Sequence, residues 1–279
     1  DIGLVVVDEQ HRFGVAQRQF LAEAARADGR RPHLLSMTAT PIPRSLALTL
    51  AGDLDVSSLR EKPVGRQPVA SAVCAGGQRE TAYAAIRAAA SRGEASFVVC
   101  PLIDPSDALG VASVQELSKQ LAAGPLAGLR LAVLHGRLKT EEKADAMDRL
   151  LRRELDVLVS TSVIEVGVDV PHATVIAIEG AERFGMAQLH QLRGRVGRSA
   201  LPSRCFFLTD AQGEPLERLE QVARIHDGFA LAEEDFRRRG AGNVFGIEQS
   251  GELAFKAVRA EDADLLRQSV AIAERIIAE

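Results

Sequence analysis

No apolar run in these 279 residues approaches the roughly 18 that a bilayer-spanning helix needs, and no basic start leads into an apolar stretch with a small-residue cleavage site. The chain therefore reads as cytoplasmic, with no membrane partner. Cysteine is scarce and odd in number: Cys74, Cys100 and Cys205 are widely spaced, each in or beside an apolar run. That pattern argues against a disulfide framework or a metal site and for three buried thiols. An excess of cations is missing too. With a formal net charge of -4, no whole-chain basic field announces a nucleic acid, although a local basic groove stays open. Internal repeats and low-complexity tracts are absent apart from a general richness in alanine.

What is present is an ordinary globular composition, 46% apolar and 26% charged, long enough for two compact domains with separate cores. Apolar runs rich in β-branched residues fall at Leu4-Val7, His33-Met37, Val69-Cys74, Phe97-Cys100, Leu131-Leu134, Val157-Ser160, Val175-Ile178 and Cys205-Leu208. Helical periodicity separates most of them, over Thr81-Ala90, Val114-Leu121, Glu141-Arg152 and Ala187-Leu192, with Thr140 as the expected cap of the third. Strands alternating with helices predict crossover units and a mainly parallel sheet, so the fold class is α/β.

The stretch EKPVGRQP, residues 61 to 68, sets two prolines and a glycine in eight positions, which is linker chemistry. Strand patterns cease after residue 210. These changes predict three segments, 1–65, 66–210 and 211–279. The opening DIGLVVVD enters directly on a strand pattern with no strand-helix unit before it, as a cut chain would. A parallel sheet begun that way is expected to expose faces and edges that intact domains cover.

VVVDEQHRFG, residues 5 to 14, places Asp8 and Glu9 where the first strand should end. Ligands of open α/β sheets sit at the carboxyl ends of strands. One reading makes Asp8 the holder of a Mg²⁺ ion through water, with Glu9 orienting or deprotonating the water that attacks a nucleotide γ-phosphate. Another makes the pair a solvated turn, or a cap for a helix near Val15-Ala24.

QLHQLRGRVGRSA, residues 188 to 200, carries arginines at 193, 195 and 198 with Gly194 and Gly197 between them. Such a backbone can bend and bring planar guanidinium forks close to an anion. A basic helix end favoured by the dipole is the alternative. The spacing Q-x-x-G-R-x-G-R, Gln191 through Arg198, resembles the arginine-finger motif of superfamily-two helicases. SMTATP (36 to 41), VLHGRL (133 to 138) and STSVIEVGVDVP (160 to 171) resemble further motifs of that superfamily, in the same order.

A narrower resemblance follows from DEQHRFGVAQR and TATPIPRSLALTLAGDLDV, which are similar to the RecG family of helicases that remodel branched DNA at stalled forks and junctions. The transcription-repair coupling factors resemble the chain through TATPIPR but usually carry an extra glutamate where Gln10 and His11 stand. GFALAEEDFRRRGAGNVFGIEQSG, residues 228 to 251, resembles the translocation motif both families share, a helical hairpin and a loop reaching into the duplex groove. Read physically, Phe229 and Phe236 share one helix face and Arg237-Arg239 close the helix before Gly240, as an amphipathic packing helix would also have them.

The resemblance implies RecA-like motor domains, the first partial and the second complete, with ATP and Mg²⁺ as cofactors and branched or forked duplex DNA as partner. It implies catalytic roles for Asp8, Glu9, Arg195 and Arg198, and nucleotide contacts for Gln191, Gly167 and Asp169. His11, Thr38 and Thr40 would couple nucleotide state to the DNA groove, while His135, Thr161, Arg239 and Gln249 would bind or move DNA. The motor would act as a monomer. The family also uses a G-x-x-x-x-G-K-[ST] phosphate loop, and no such sequence occurs in the chain. That loop and the family's wedge domain are expected upstream in a parent chain, which leaves two expectations: an ATP-dependent DNA helicase as the parent, and no catalysis by these 279 residues alone. A coupling-factor translocation module, or a non-catalytic DNA-binding piece, is the alternative.

Overall fold

The structure is a computed structural model that describes residues 3–9, 32–39, 57–59, 61, 65–101, 108–162 and 169–239, with 268, 272, 275 and 276. Each of the eight apolar runs forms a strand: β1 (Leu4–Val7), β2 (His33–Ser36), β3 (Ala70–Ala75), β4 (Ala95–Val99), β5 (Leu131–Leu134), β6 (Val157–Ser160), β7 (Ala173–Ile178) and β8 (Arg204–Thr209). The helices among the described residues are α1 (Arg79–Ser91), α2 (Ala108–Ala123), α3 (Thr140–Leu151), α4 (Met186–Arg193), α5 (Glu214–Arg224) and α6 (Gly228–Arg239).

β1 and β2 form a two-stranded parallel ladder, with Val7 opposite Ser36. Leu4, Val6, Leu34, Leu35 and Met37 are exposed along it. The remaining strands form a six-stranded sheet in the order β3-β8-β7-β4-β6-β5, and every pairing in it is parallel. Every residue of β4, β6 and β7 is buried, as expected of strands covered by helices on both faces.

The two-residue alternation of strand side chains divides the core. Phe97, Ile176, Ile178 and Phe207 point to one face, where Leu150 of α3, Leu189 of α4, Leu219 of α5 and Leu231 of α6 meet them. Val98, Val159, Val175 and Phe206 point to the other, against Ile86 of α1 and Leu121 of α2. The result is three layers. Burying Phe97 or Phe207 completely stabilises the fold by about 1.5–3 kcal/mol each.

Two expectations meet the structure differently. The three thiols are buried and free, and burial pushes Cys100 up to about 11 and Cys205 up to about 12. The cap of α3, by contrast, is Lys139 and not Thr140, which is already helical. The reason is local. The Lys139 backbone N–H donates to Glu142 Oε2 at 2.8 Å, so the glutamate reaching back, rather than a threonine hydroxyl, occupies an otherwise orphaned donor. The helix expected near Val15-Ala24 lies outside the described residues. No helix among the described residues is long and apolar enough to cross a membrane.

Candidate functional site

The acidic pair stands at the carboxyl end of β1. Asp8 is exposed, Glu9 is partly buried, and the Glu9 N–H donates to Asp8 Oδ1 at 2.8 Å. Glu9 holds φ at 49°, in the left-handed region. For a residue with a Cβ that costs about 1–2 kcal/mol, and such outliers cluster at functional sites. Met37 N–H donates to Val7 O at 2.7 Å, which sets Thr38 beyond the end of β2, at the same edge as the pair. Asp8, Glu9 and Thr38 are therefore brought together; His11 and Thr40 lie outside the described residues.

A second group is built on the turn after α4. The helix closes at Gly194, whose N–H donates to His190 O at 3.0 Å. Three residues on, Gly197 has φ 71°, and a Cβ there would stand 2.6 Å from Val69 Cγ2. Glycine is required twice at this position, by conformation and by space. Arg66, from the proline-rich linker, donates through Nε to Gly197 O at 2.9 Å. The linker thus holds the turn from outside while Gly197 lets it pass.

On this turn Arg195 is buried and Arg198 is half-exposed. Arg198 donates through Nε to Gly194 O at 3.2 Å and through Nη1 to Asp169 Oδ1 at 3.3 Å. The second bond is an ion pair whose aspartate is 67% exposed, worth at most about 1 kcal/mol. A bound phosphate could displace it. Gln191 is partly buried on α4, and Gly167 lies outside the described residues.

Arg193 is 4% exposed, and its guanidinium donates to Val222 O and Ile225 O at the end of α5. Spacing groups it with Arg195 and Arg198, because spacing alone cannot tell which side of a helix end a guanidinium takes.

A third group lies at the carboxyl ends of neighbouring β5 and β6. Thr161 N–H donates to Leu134 O at 3.2 Å, placing Thr161 beside His135 in the chain trace. Both are buried, and among the described residues neither His135 Nδ1 nor Thr161 Oγ1 has a hydrogen-bond partner. Leaving such a group unsatisfied costs about 1–3 kcal/mol. Burial, then the nearby Lys143 and Arg137, hold the His135 pKa below the ordinary histidine value, with Glu142 opposing. Lys143 Nζ donates to Gly136 O at 2.7 Å, so a cation is fixed to the backbone next to the histidine.

α6 begins at Gly228, and the Asp227 carboxylate caps it by accepting from the Ala230 N–H at 2.8 Å. Leu231 and Ala232 are buried, and Arg237 and Arg238 pair with Glu234. The described part of the helix runs to Arg239; the expected stop before Gly240, the side chains of Phe236 and Arg239, and Gln249 lie outside the described residues. One recess, lined by Ala39, Arg66, His190, Arg193, Gly194 and Phe229 among others, joins the residue after Thr38, the linker, the arginine turn and the start of α6.

Sequence reasoning missed a charged cluster at the ends of β7 and β8. Arg79 donates to both Asp210 carboxylate oxygens, at 2.7 and 2.9 Å, and to Glu179 at 3.3 Å, while Tyr83 donates to Glu179 at 2.8 Å. Burial, then the negative charge and hydrogen bond of Glu179, drives the Tyr83 pKa up. The Arg79 and Asp210 partners are 131 residues apart, and no local pattern announces such a pair.

Residues 79–200 match the family described as the helicase conserved C-terminal domain. The chain is 45% identical over its whole length to the ATP-dependent DNA helicase RecG of Synechocystis sp., covering 33% of that protein. It is 48% identical over 90% of its length to the RecG of Mycobacterium bovis, covering 36% of it. Among solved structures, RecG bound to a three-way DNA junction superposes with a TM-score of 0.71 at 40% identity, over 95% of this chain and 34% of that one. The chain spans about a third of the length of the curated relatives it matches.

Proposed function

The chain belongs with the RecG helicases, and on that premise we propose that it forms the part of an ATP-driven motor that reads nucleotide state and moves branched duplex DNA. The observation that carries this is the arginine turn. A buried Arg195 and a weakly held Arg198 sit on a glycine bend that the linker pins, and the exposed Arg198–Asp169 pair is one that a phosphate could displace. Guanidinium groups so placed can stabilise charge on a transferring phosphoryl group and contribute ~10³–10⁵ in rate.

In this proposal ATP lies between two RecA-like lobes, with Asp8 and Glu9 on one wall and Arg195 and Arg198 on the other. Gln191, Gly167 and Asp169 contact the nucleotide. Asp8, exposed at a strand end, suits a Mg²⁺ ion that takes its other positions from water and phosphate oxygens. The ion would neutralise phosphate charge. Glu9, in its strained conformation, orients the attacking water. His11, Thr38 and Thr40 pass nucleotide state to the groove, where His135 and Thr161 meet the DNA backbone. Their two unsatisfied polar atoms support that placement, because a ligand that completes them recovers a cost the fold otherwise carries. Arg239, the last described residue of α6, and Gln249 act on the duplex.

The segments 1–65, 66–210 and 211–279 then serve as a wall of the nucleotide cleft, a complete motor lobe and a translocation hairpin, in a monomeric motor. The test is fork unwinding. The gene product that carries this chain should separate a three-way or forked junction in the presence of ATP and Mg²⁺, and do so far better than a linear duplex of equal length. Equal rates on both would remove branched DNA from the proposal.

A further inference from the structure

Arg193 is an unusual residue to find where it is. It is a cation, 4% exposed, on the face of α4 that packs into the core. Among the described residues no carboxylate lies within ion-pair distance of it. Its partners are backbone carbonyls: Nη1 donates to Val222 O at 2.7 Å and Nη2 to Ile225 O at 2.9 Å. Nη2 also donates to His190 Nδ1 at 2.7 Å, which assigns the acceptor role to that ring nitrogen because a guanidinium has no acceptor.

Those carbonyls belong to the last turn and cap of α5, where helices leave acceptors unpaired and the dipole is negative. The match is chemically sound. Burying a charge is nonetheless costly, and burial pulls the Arg193 pKa below the usual arginine value. A leucine or methionine would fill the space without that cost, so packing alone does not explain the choice.

Position does. Arg193 is the last residue of α4, two before Arg195 and five before Arg198. Ile225 is three before Gly228, where α6 begins on its Asp227 cap. α4 packs directly on α6. Two directional hydrogen bonds, to Val222 O and Ile225 O, thus join the root of the arginine turn to the end of α5, three residues before the helix that leads into the translocation segment, while the third holds Arg193 to His190 on its own helix.

We propose that Arg193 is a positioning residue, a tie that carries displacement of the arginine turn into the base of α6, so that nucleotide-driven closure moves the hairpin. This rests on the motor function proposed above and assigns its coupling to a buried residue outside the nucleotide and DNA contacts named there.

The experiment uses the gene product that carries this chain, with Arg193→Met, which keeps the volume and removes the bonds, and Arg193→Lys, which keeps the charge but cannot reach all three acceptors at once. Phosphate release with fork DNA, fork unwinding and hydrogen exchange at the amides of residues 225 to 231 are measured on each. Arg193→Met should retain DNA-stimulated turnover within about threefold while unwinding falls by about thirtyfold or more, and Arg193→Lys should fall between it and the parent. Exchange at residues 225 to 231 should quicken by about tenfold with the amides of the central sheet unchanged. Turnover and unwinding falling in equal proportion would overturn the tie and place Arg193 in hydrolysis. Parental unwinding with only a lowered melting temperature would overturn it as packing. If Arg193→Met fails to fold, Arg193→Lys decides by the same ratio. A parent that unwinds no branched DNA defeats the proposed function instead, and exchange at residues 225 to 231 then still decides whether the tie exists.

Discussion

Replacing Gly197 with alanine should damage the arginine turn more than any other added methyl group among the described glycines. Two costs add. Holding alanine at φ 71° costs about 1–2 kcal/mol, because its Cβ crowds the following carbonyl. The new Cβ would also stand 2.6 Å from Val69 Cγ2, and Val69 packs against the core, so it cannot simply swing into solvent. Overpacking of that kind costs about 1–3 kcal/mol. Together these give roughly 2–5 kcal/mol, and at roughly 2–4 °C per kcal/mol for a domain of this size the melting temperature should fall by roughly 4–20 °C. Gly76→Ala is the control, since φ there is 60° but nothing lies within 4 Å of the added atom. It should show the conformational cost alone. Val69→Ala combined with Gly197→Ala should relieve the clash, so the double variant melts higher than the sum of the single changes requires. Differential scanning calorimetry on the four proteins checks this. If Gly197→Ala melts no lower than Gly76→Ala, the close approach of linker and turn is wrong, and with it the idea that Arg66 and Val69 shape the loop.

Asp156 accepts three hydrogen bonds from Arg130, which hold its pKa below the usual aspartate value. A carboxylate depressed in the folded state contributes stability above its unfolded pKa, near 4, and loses it as pH falls through the folded value. Asp156→Asn should therefore lower the melting temperature at pH 7 and flatten its decline below about pH 4, in melts followed by circular dichroism. Changes at Arg239 or Gln249 in the full gene product should abolish unwinding while much of the DNA-stimulated ATPase survives; weaker binding to every DNA, with a shallower salt dependence, would make them mere phosphate contacts. The 279 residues by themselves should show no DNA-stimulated phosphate release, since they contain no G-x-x-x-x-G-K-[ST] sequence, and turnover that vanished on Glu9→Gln would refute that.

Strands were legible wherever burial is complete. Phe97, Val98 and Val99 form a continuous apolar run because β4 is covered on both faces, and runs of that kind need no partner to be recognised. β3, at the sheet edge with alternate residues exposed, came out one residue displaced from Val69-Cys74. Its register is set by pairing with β8, which local sequence does not contain. The glycines flanking Arg195 announced a bend, yet which arginine faces the core was decided by the α5 carbonyls 29 and 32 residues later. The Arg79, Tyr83, Glu179 and Asp210 cluster was illegible for the same reason, because each member is an ordinary surface residue until the sheet is assembled. Motif resemblance reached Asp169 and Arg198 separately, and the fold supplied their pairing.

Turnover and DNA affinity of Arg195→Ala, measured side by side on the gene product that carries this chain, test the motor most directly. If Arg195 stabilises charge on the transferring phosphoryl group, saturating DNA-stimulated ATP hydrolysis should fall by ~10³-fold or more while affinity for a forked DNA stays within about threefold of the parent. Hydrolysis that survives near the parental rate, or a loss of DNA binding as large as the loss of turnover, would contradict the assignment of the arginine turn to the nucleotide.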